Sequence, residues 1–226
     1  MKYFYFFIFI VFVLNLKGQT DNETFNIPNQ RPFEGIIFFS MELITDTLYY
    51  TYYVKDRLVR MDEYNRCRDC KTPNNYILFD LNKKTITVVN PLRKMYININ
   101  SKPYKERTDV DENFKILKTN NYKKIHGYKC YQWRVRNKIE NTEVSYWVAF
   151  DNFDFFIDFI KLFNRSEKHA QYFLLIPETK GYFPMLSEER TTLREQKMTL
   201  RVLNIQRKTL DKSFFQIPKD YKNFEE

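Results

Sequence analysis

Histidine is scarce in this sequence, which has only His126 and His169 among its 226 residues. Histidine is the side chain most often used for general acid–base catalysis, so the chain has little capacity for it. No serine elbow or acid pair accompanies either histidine, and both are predicted to be solvated surface groups. The carboxylates also lack the paired arrangement of a glycosidase. We therefore expect a non-enzymatic protein with no catalytic residues and no cofactor.

Cysteine is almost as scarce, with only Cys67, Cys70 and Cys130. A thioredoxin-like site places its C-x-x-C motif at the start of a helix, whereas Cys67 and Cys70 stand in a charged, turn-prone segment between two predicted strands. A zinc site would need two further ligands, and only Cys130 and the two histidines are available at irregular spacing, so no metal site is predicted. In an oxidising compartment the favoured outcome is a Cys67–Cys70 disulfide, with Cys130 free and buried on a strand. Redox chemistry at these thiols, or a bridge from Cys130 to one of the other two, is the alternative.

Long hydrophobic runs are absent except at the N-terminus, where Tyr3 to Leu14 are all apolar. A membrane-spanning helix needs about 20 such residues, so this run is too short for one. It suits the core of a secretory signal, with cleavage predicted just before Gln19. The predicted organisation is therefore a signal peptide over residues 1–18, a flexible polar lead-in over 19–32 and one domain over 33–224. The location is periplasmic or secreted, and an uncleaved anchor is the alternative.

Blocks of charge are also absent, although the whole chain carries a net charge of +9. Removing the signal takes away Lys2 and Lys17, which leaves 35 basic and 28 acidic residues and a net charge of +7. The basic side chains are scattered along strands rather than clustered, and export separates the protein from nucleic acid, so nucleic acid is not expected as a partner. An anionic membrane surface is the partner that this charge favours.

Aromatic residues, by contrast, are abundant, with 17 tyrosines and 22 phenylalanines. From Phe33 onward, short runs rich in aromatic and β-branched residues alternate with turn residues about every 8–12 positions, which is typical of antiparallel meanders. After Asn120-Asn121 a second set of strands is predicted, beginning with a hairpin. The predicted strands lie in FEGIIFFSM, TLYYTYYV, RLVRM, YILFD, KTITVV, KMYINI, YKCYQWRVRN, TEVSYWVAF, FPMLSEERTTLR and KMTLRVLNIQRK.

One segment has helical rather than strand periodicity. From Phe153 to Phe163 the only polar residues are Asp154, Asp158 and Lys161, and these fall in one narrow arc at 100° per residue. The apolar face of this helix is wider than that of an ordinary surface helix. We therefore expect the helix to be covered on most of its sides.

The excess of aromatic residues admits two interpretations. A curved sheet must bury one face, and aromatic side chains can simply fill that core. Alternatively, the sheet and the wide-faced helix enclose more apolar wall than they fill, which would leave a cavity for a hydrophobic ligand. The candidates for such a wall, which need not all face the same side, are Trp133, Trp147, Phe155, Phe156, Phe159 and Phe163.

Several segments together resemble a known family. FEGIIFF, KDRLVRMD, YILFDLNKKTITVVN, KKIHGYKCYQW, YWVAFD, GYFPM and LNIQRKTLDKSFFQIPKDY follow one another in this order. The order resembles a family of secreted, functionally uncharacterised bacterial envelope proteins, which is similar to the LolA/LolB-like lipoprotein-carrier fold. The resemblance covers residues 33–224, and its most distinctive parts run from Phe215 to Tyr221 and from Gly127 to Cys130.

The resemblance implies a mainly β (α+β) fold, in which a strongly curved antiparallel sheet forms an incomplete barrel and one or two helices plug its concave face. In the carriers, the concave pocket takes lipoprotein acyl chains. We therefore expect an envelope protein that binds a lipid or acyl chain in a half-barrel. The alternative is a protein-interaction or scaffold domain with a fully packed core, whose partner is another envelope protein.

Overall fold

The computed structural model describes residues 31–65, 67–70 and 72–224. The predicted signal peptide (1–18) and residues 19–30 of the predicted lead-in lie outside the described residues. Half of the described residues are in strands and 12% are in helices. The strands are β1 (Gly35–Leu43), β2 (Thr47–Lys55), β3 (Leu58–Glu63), β4 (Asn75–Asp80), β5 (Thr85–Asn90), β6 (Met95–Ile99), β7 (Phe114–Ile125), β8 (Tyr128–Asn137), β9 (Thr142–Phe150), β10 (Tyr182–Thr191), β11 (Gln196–Arg207) and β12 (Lys222–Asn223). The helices are α1 (Val110–Asn113), α2 (Phe155–Phe163) and α3 (Lys168–Phe173), with a short 3-10 helix at Lys212–Phe215.

All twelve described strands belong to one curved sheet. Their order across the sheet is β12-β6-β5-β4-β3-β2-β1-β11-β10-β9-β8-β7, so two meanders meet where β1 pairs with β11. Neighbouring strands are antiparallel except for the short β12, which runs parallel to β6. The sheet does not close, because β12 and β7 form its two edges. The predicted fold class is therefore confirmed.

The first meander follows the predicted pattern of strands and turns. Each of the six runs predicted between residues 33 and 99 forms one strand. The side chain of Asp80 accepts hydrogen bonds from the backbone N–H groups of Asn82 and Lys83, and that of Asn90 accepts one from Arg93. These short polar side chains stabilise the tight turns by accepting hydrogen bonds from the backbone, which is why such residues recur between the strands.

The second meander begins earlier than predicted. The sequence pattern placed its first strand after Asn120-Asn121, but β7 already starts at Phe114 and runs through both asparagines. The pairing of β7 with β8 shifts register between Lys118 and Tyr122, and the hydroxyl of Thr119 donates to the carbonyl of Gln132 across this irregularity. The prediction was wrong here because the polar residues mark a bulge within a strand rather than a turn between strands.

Helices α2 and α3 pack against the concave face of the sheet. Helix α2 begins at Phe155, two residues later than predicted, and its Phe155, Phe156, Phe159 and Ile160 are buried. The wide apolar face is thus covered on most sides, as expected. On its polar side, Asp158 forms a 2.6 Å ion pair with Arg57 in the β2–β3 turn.

Candidate ligand cavity

A cavity of about 160 Å³ lies between the concave face of the sheet and the two helices. Strands β1, β2, β3, β10 and β11 form one wall, and α2, α3 and the segment between them form the other. The lining residues are Phe39, Met41, Tyr50, Tyr52, Met61, Glu63, Phe156, Phe159, Ile160, Phe163, Arg165, Glu167, His169, Ala170, Phe183, Pro184, Leu200, Arg201 and Val202.

Phe159 is the central aromatic residue of the helical wall. It is only 1% exposed, and its ring meets those of Tyr52 and Phe79 edge-on at centroid distances of 5.1 and 4.8 Å. Phe163 packs against the same Phe79 at 5.0 Å. Edge-to-face aromatic pairs of this kind stabilise beyond the area that they bury. The wall of the cavity is therefore held by rings of α2 and of the first meander together.

The structure brings three of the six predicted wall residues together at the cavity. Phe156, Phe159 and Phe163 line it. Phe155 is buried beside them but points to another part of the core, where it packs against Phe33 and Phe183 at 6.2 Å.

The two tryptophans lie elsewhere in the sheet. Trp133 is buried against Tyr182, with the rings 4.8 Å apart. Trp147 is half-buried beneath the ammonium group of Lys123, 4.2 Å from the ring centroid. Trp133 pairs across the strands with Tyr146, the residue before Trp147, so the two indoles point to opposite faces of the sheet. Neither lines the cavity.

Two polar atoms at the cavity are left without a hydrogen-bond partner in the described part of the chain. The Nδ1 atom of His169 and one carboxylate oxygen of Glu167 are fully covered, yet neither has a hydrogen-bond partner there. Unsatisfied covered atoms are uncommon in folded proteins and each costs free energy. Arg165, which is exposed, stands at the rim, whereas the side chain of Arg201 lies on the opposite face of the sheet and pairs with Glu42 at 3.4 Å. A ligand that donates a hydrogen bond would satisfy the two covered acceptors.

The prediction that both histidines are solvated surface groups was wrong for His169. His169 is half-buried and lines the cavity, whereas His126 is exposed as predicted, with its Nε2 atom 2.8 Å from the carbonyl oxygen of Val202. The polar residues around His169 were interpreted as a surface patch, but they belong to a short helix, α3, whose other face packs into the core through Tyr172 and Phe173. The spacing of Ala170, Tyr172 and Phe173 after the charged Lys168 is the sequence signal that could have predicted this helix.

The buried position of His169 makes stability depend on pH. Burial lowers the pKa of His169 to about 4, whereas an imidazole in the unfolded chain titrates near pH ~6.5. Between these values the unfolded state binds more protons, so the free energy of unfolding falls as the pH is lowered through this window and levels off below it. Urea unfolding at pH 7, 5.5 and 4 measures this effect. We expect the free energy of unfolding of the wild-type protein to fall by the contribution of His169, and that of His169→Gln to lack this decrease.

Comparing wild type with His169→Gln isolates the contribution of the histidine to the pH dependence of stability. Burial raises the pKa of Glu189, which contributes the opposite trend, but it does so in both proteins and cancels in the difference. A difference in unfolding free energy that stays constant from pH 7 to pH 4 would show that His169 titrates normally.

The cysteines follow the favoured prediction. Cys67 and Cys70 are joined in a disulfide, and Cys130 is a free, fully buried thiol on β8. Burial raises the pKa of Cys130 to about 12, so this thiol stays protonated and unreactive at neutral pH.

Within the described ranges, no three histidine, cysteine or acidic side chains converge as a metal site would require. No helix described there has the length and apolar content needed to cross a bilayer.

A comparison with known families finds one match. Residues 33–221 match the family described as a domain of unknown function, DUF4412. The match covers nearly all of the described chain, and the predicted resemblance to a family of uncharacterised function is confirmed. No curated protein matches the chain in a sequence comparison.

Solved structures with some similarity include three bacterial examples. An uncharacterised conserved protein from Thermus thermophilus has 10% identity and a TM-score of 0.46, over 84% of this chain and 88% of the other. The Pseudomonas aeruginosa MucA/MucB complex has 7% identity and a TM-score of 0.49, over 83% of this chain and 56% of the other. A Vibrio parahaemolyticus domain described as outer-membrane lipoprotein-sorting has 9% identity and a TM-score of 0.35, over 83% and 91%. Similarities this low say nothing about what this chain binds.

Proposed function

This chain belongs to the DUF4412 family, and we propose that it is an exported, non-enzymatic envelope protein that binds a hydrophobic or lipid-like ligand between its curved sheet and α2. The observation that carries this proposal is the cavity at Phe159, which is walled by aromatic and aliphatic side chains and bordered by charged ones. Apolar walls with a few convergent polar groups are the usual composition of small-molecule sites.

The size of the cavity limits how much of a ligand it takes. Pockets for drug-sized molecules measure about 300–1,000 Å³, whereas an engineered apolar cavity of about 150 Å³ binds benzene. At about 160 Å³, this cavity accommodates an aromatic ring or a short stretch of an acyl chain. We infer that the ligand is anchored by one apolar end while the rest lies along the rim.

The rim supplies the chemistry for the polar end of such a ligand. The covered acceptors on Glu167 and His169 suit a hydroxyl or amine donor, and Arg165 suits an anionic group. Burial also raises the pKa of Tyr50 to about 12, so its hydroxyl is neutral at physiological pH and remains a hydrogen-bond donor. An amphipathic ligand therefore matches the site better than a pure hydrocarbon.

The envelope location rests on features of the sequence. The apolar run from Tyr3 to Leu14 is typical of a secretory signal, and the Cys67–Cys70 disulfide is typical of an oxidising compartment. Both support a periplasmic or secreted protein. The mature net charge of +7 would hold it near anionic lipid surfaces, from which a hydrophobic ligand can be collected.

Filling the cavity tests the proposal. Ala170 on α3 lines the cavity, so Ala170→Leu places three more carbon atoms in the space that the ligand would occupy. We expect the affinity for a fluorescent fatty acid to fall at least about tenfold, which corresponds to ~1.4 kcal/mol. The measurement is probe fluorescence with displacement by unlabelled fatty acid, supported by native mass spectrometry of the purified protein.

The matched control is Gln171→Leu, the next residue of the same helix. Gln171 does not line the cavity, so this change adds apolar surface without filling it. The probe should bind Gln171→Leu as it binds wild type. Absence of co-purified lipid together with absence of probe binding by the wild-type protein would rule the proposal out.

A second candidate function is a protein-interaction or scaffold domain. It is favoured by the small size of the cavity compared with the extensive aromatic core around it, in which Phe156 and Phe183 approach to 4.7 Å. For this function, cross-linking of the exported protein would recover an envelope partner, and Ala170→Leu would bind that partner unchanged.

A further inference from the structure

A second, polar groove lies on the convex face of the sheet, independent of the ligand cavity. Tyr146 of β9 points to the concave side, where its ring packs against Phe173 of α3 at 5.3 Å. Side chains alternate along a strand, so the neighbouring Ser145 points to the convex side, and Glu143 does so too. The groove encloses about 410 Å³ above these two residues.

Pairing of three strands places arginines along both sides of this groove. Glu143 on the middle strand stands between Arg136 of β8 and Arg190 of β10. In the adjacent row, Ser145 stands between Arg134 of β8 and Glu188 of β10. The full lining is Gln132, Arg134, Arg136, Glu143, Ser145, Glu188, Arg190, Thr191, Thr192 and Arg194.

Much of the hydrogen-bonding capacity of these arginines is unused. The Nε atoms of Arg134 and Arg190 are fully covered and have no partner in the part of the chain that is described. Within the same described residues, no side-chain ion pair or hydrogen bond is formed by Arg136 or Arg194, whereas Arg190 pairs with Glu188 through its Nη2 atom at 2.8 Å. These guanidinium groups therefore retain N–H donors for an acceptor placed in the groove.

We propose that this groove binds a phosphate monoester. Four arginines against two glutamates leave an excess of two positive charges, which a dianionic phosphate balances. Guanidinium groups form bidentate, charge-assisted hydrogen bonds with phosphate oxygens, and the hydroxyls of Ser145, Thr191 and Thr192 add neutral donors. The groove is a docking place for the phosphate of a soluble metabolite or of a lipid headgroup, since the recognised group is the same in both.

Glu143 sets the selectivity of the groove. Its carboxylate repels an oxyanion placed over the Arg136–Arg190 row and therefore directs the phosphate towards Arg134 and Ser145. A hydroxyl beside the phosphate on the same ligand can donate to Glu143. A phosphate monoester of a hydroxylated carrier, such as glycerol 3-phosphate, therefore matches the groove better than inorganic phosphate.

Calorimetric titration of the wild-type protein with glycerol 3-phosphate and with inorganic phosphate tests the proposal. We expect glycerol 3-phosphate to bind more tightly, and Arg134→Gln to weaken it by about tenfold or more, the loss expected for one charge-assisted hydrogen bond. Arg93→Gln is the control. It removes the same charge from the exposed β5–β6 turn and should leave the affinity unchanged. Glu143→Gln should strengthen binding of inorganic phosphate several-fold. Unfolding of the variant could not produce this result, because it would weaken binding.

Vesicles distinguish the two sources of the phosphate. Phosphatidylcholine vesicles containing phosphatidic acid are compared with phosphatidylcholine alone by co-sedimentation. Binding of the phosphatidic acid vesicles that is lost in Arg134→Gln but kept in Arg93→Gln supports the site with a lipid headgroup as its ligand. The same pattern with glycerol 3-phosphate only supports a soluble ligand. Failure of both probes to bind, or equal weakening by the two arginine variants, overturns the proposal.

Discussion

Replacing Gly35 by alanine is expected to destabilise the protein by more than about 4 kcal/mol and to lower the unfolding midpoint by about 10 °C or more. Gly35 starts β1 and pairs with Val54 of β2 on one side and Arg207 of β11 on the other. A Cβ atom built on Gly35 falls well inside van der Waals contact with the carbonyl oxygen of Gln206 and 3.0 Å from the Cα atom of Arg207. Both are backbone atoms, so the clash can be relieved only by separating the strands.

The position of this clash explains the size of the effect. Among the described strands, the two meanders of the sheet are joined only by the pairing of β1 with β11. Separation at Gly35 therefore opens the sheet at its centre, beside the buried Phe33. Thermal unfolding followed by circular dichroism measures the loss.

Gly181→Ala is the matched control for Gly35→Ala. Its new Cβ atom would meet the Cε2 atom of Phe150 at 2.6 Å, but Phe150 is 41% exposed and its side chain can turn away. The remaining cost is the strain of a residue with a Cβ atom at φ +80°, about 1–3 kcal/mol. A Gly35→Ala protein as stable as Gly181→Ala would show that β1 and β11 are not in close contact at this position.

The sheet was predictable from the sequence because its signals are local. Alternation along a strand, as in Tyr131, Trp133 and Val135, and turn residues such as Asn90 report on neighbours a few positions away. The irregular strand β7 was missed for the same reason, since a bulge is defined by the register with a partner strand and leaves only polar residues in the sequence. The pairing of β1 with β11 is set by contacts across the whole chain and has no local signal.

The candidate cavity was predictable only from its helical side. The breadth of the apolar face of α2 indicated that Phe156, Phe159 and Phe163 would be covered, and they line the cavity. The tryptophans did not join them. Trp147 points to the opposite face of the sheet, and Trp133, although on the concave side, belongs to β8, which does not line the cavity. His169 was missed because α3 is only six residues long, too short for a clear helical period. The six-residue candidate wall as a whole remains a prediction until a ligand is tested.

Replacing Phe159 by alanine separates the two roles of α2, as part of the core and as the wall of the cavity. Phe159 is nearly fully buried against Tyr52 and Phe79, and truncation of a buried phenylalanine to alanine costs about 3–5 kcal/mol through lost transfer energy and the void left behind. Urea unfolding should show this loss. Phe224→Ala, at a side chain that is 63% exposed, should change stability by less than about 0.5 kcal/mol.

The same change enlarges the cavity, so its effect on binding should oppose its effect on stability. Phe159→Ala removes a ring from the lining while the strand wall stays in place, so the folded variant should bind the fluorescent fatty acid at least as tightly as wild type. Ala170→Leu should do the reverse by filling the space. Weaker binding in both variants would mean that the probe is held outside the space between sheet and helix. A Phe159→Ala protein as stable as wild type would mean that α2 is not packed against Tyr52 and Phe79, and the cavity that depends on this packing would be lost with it.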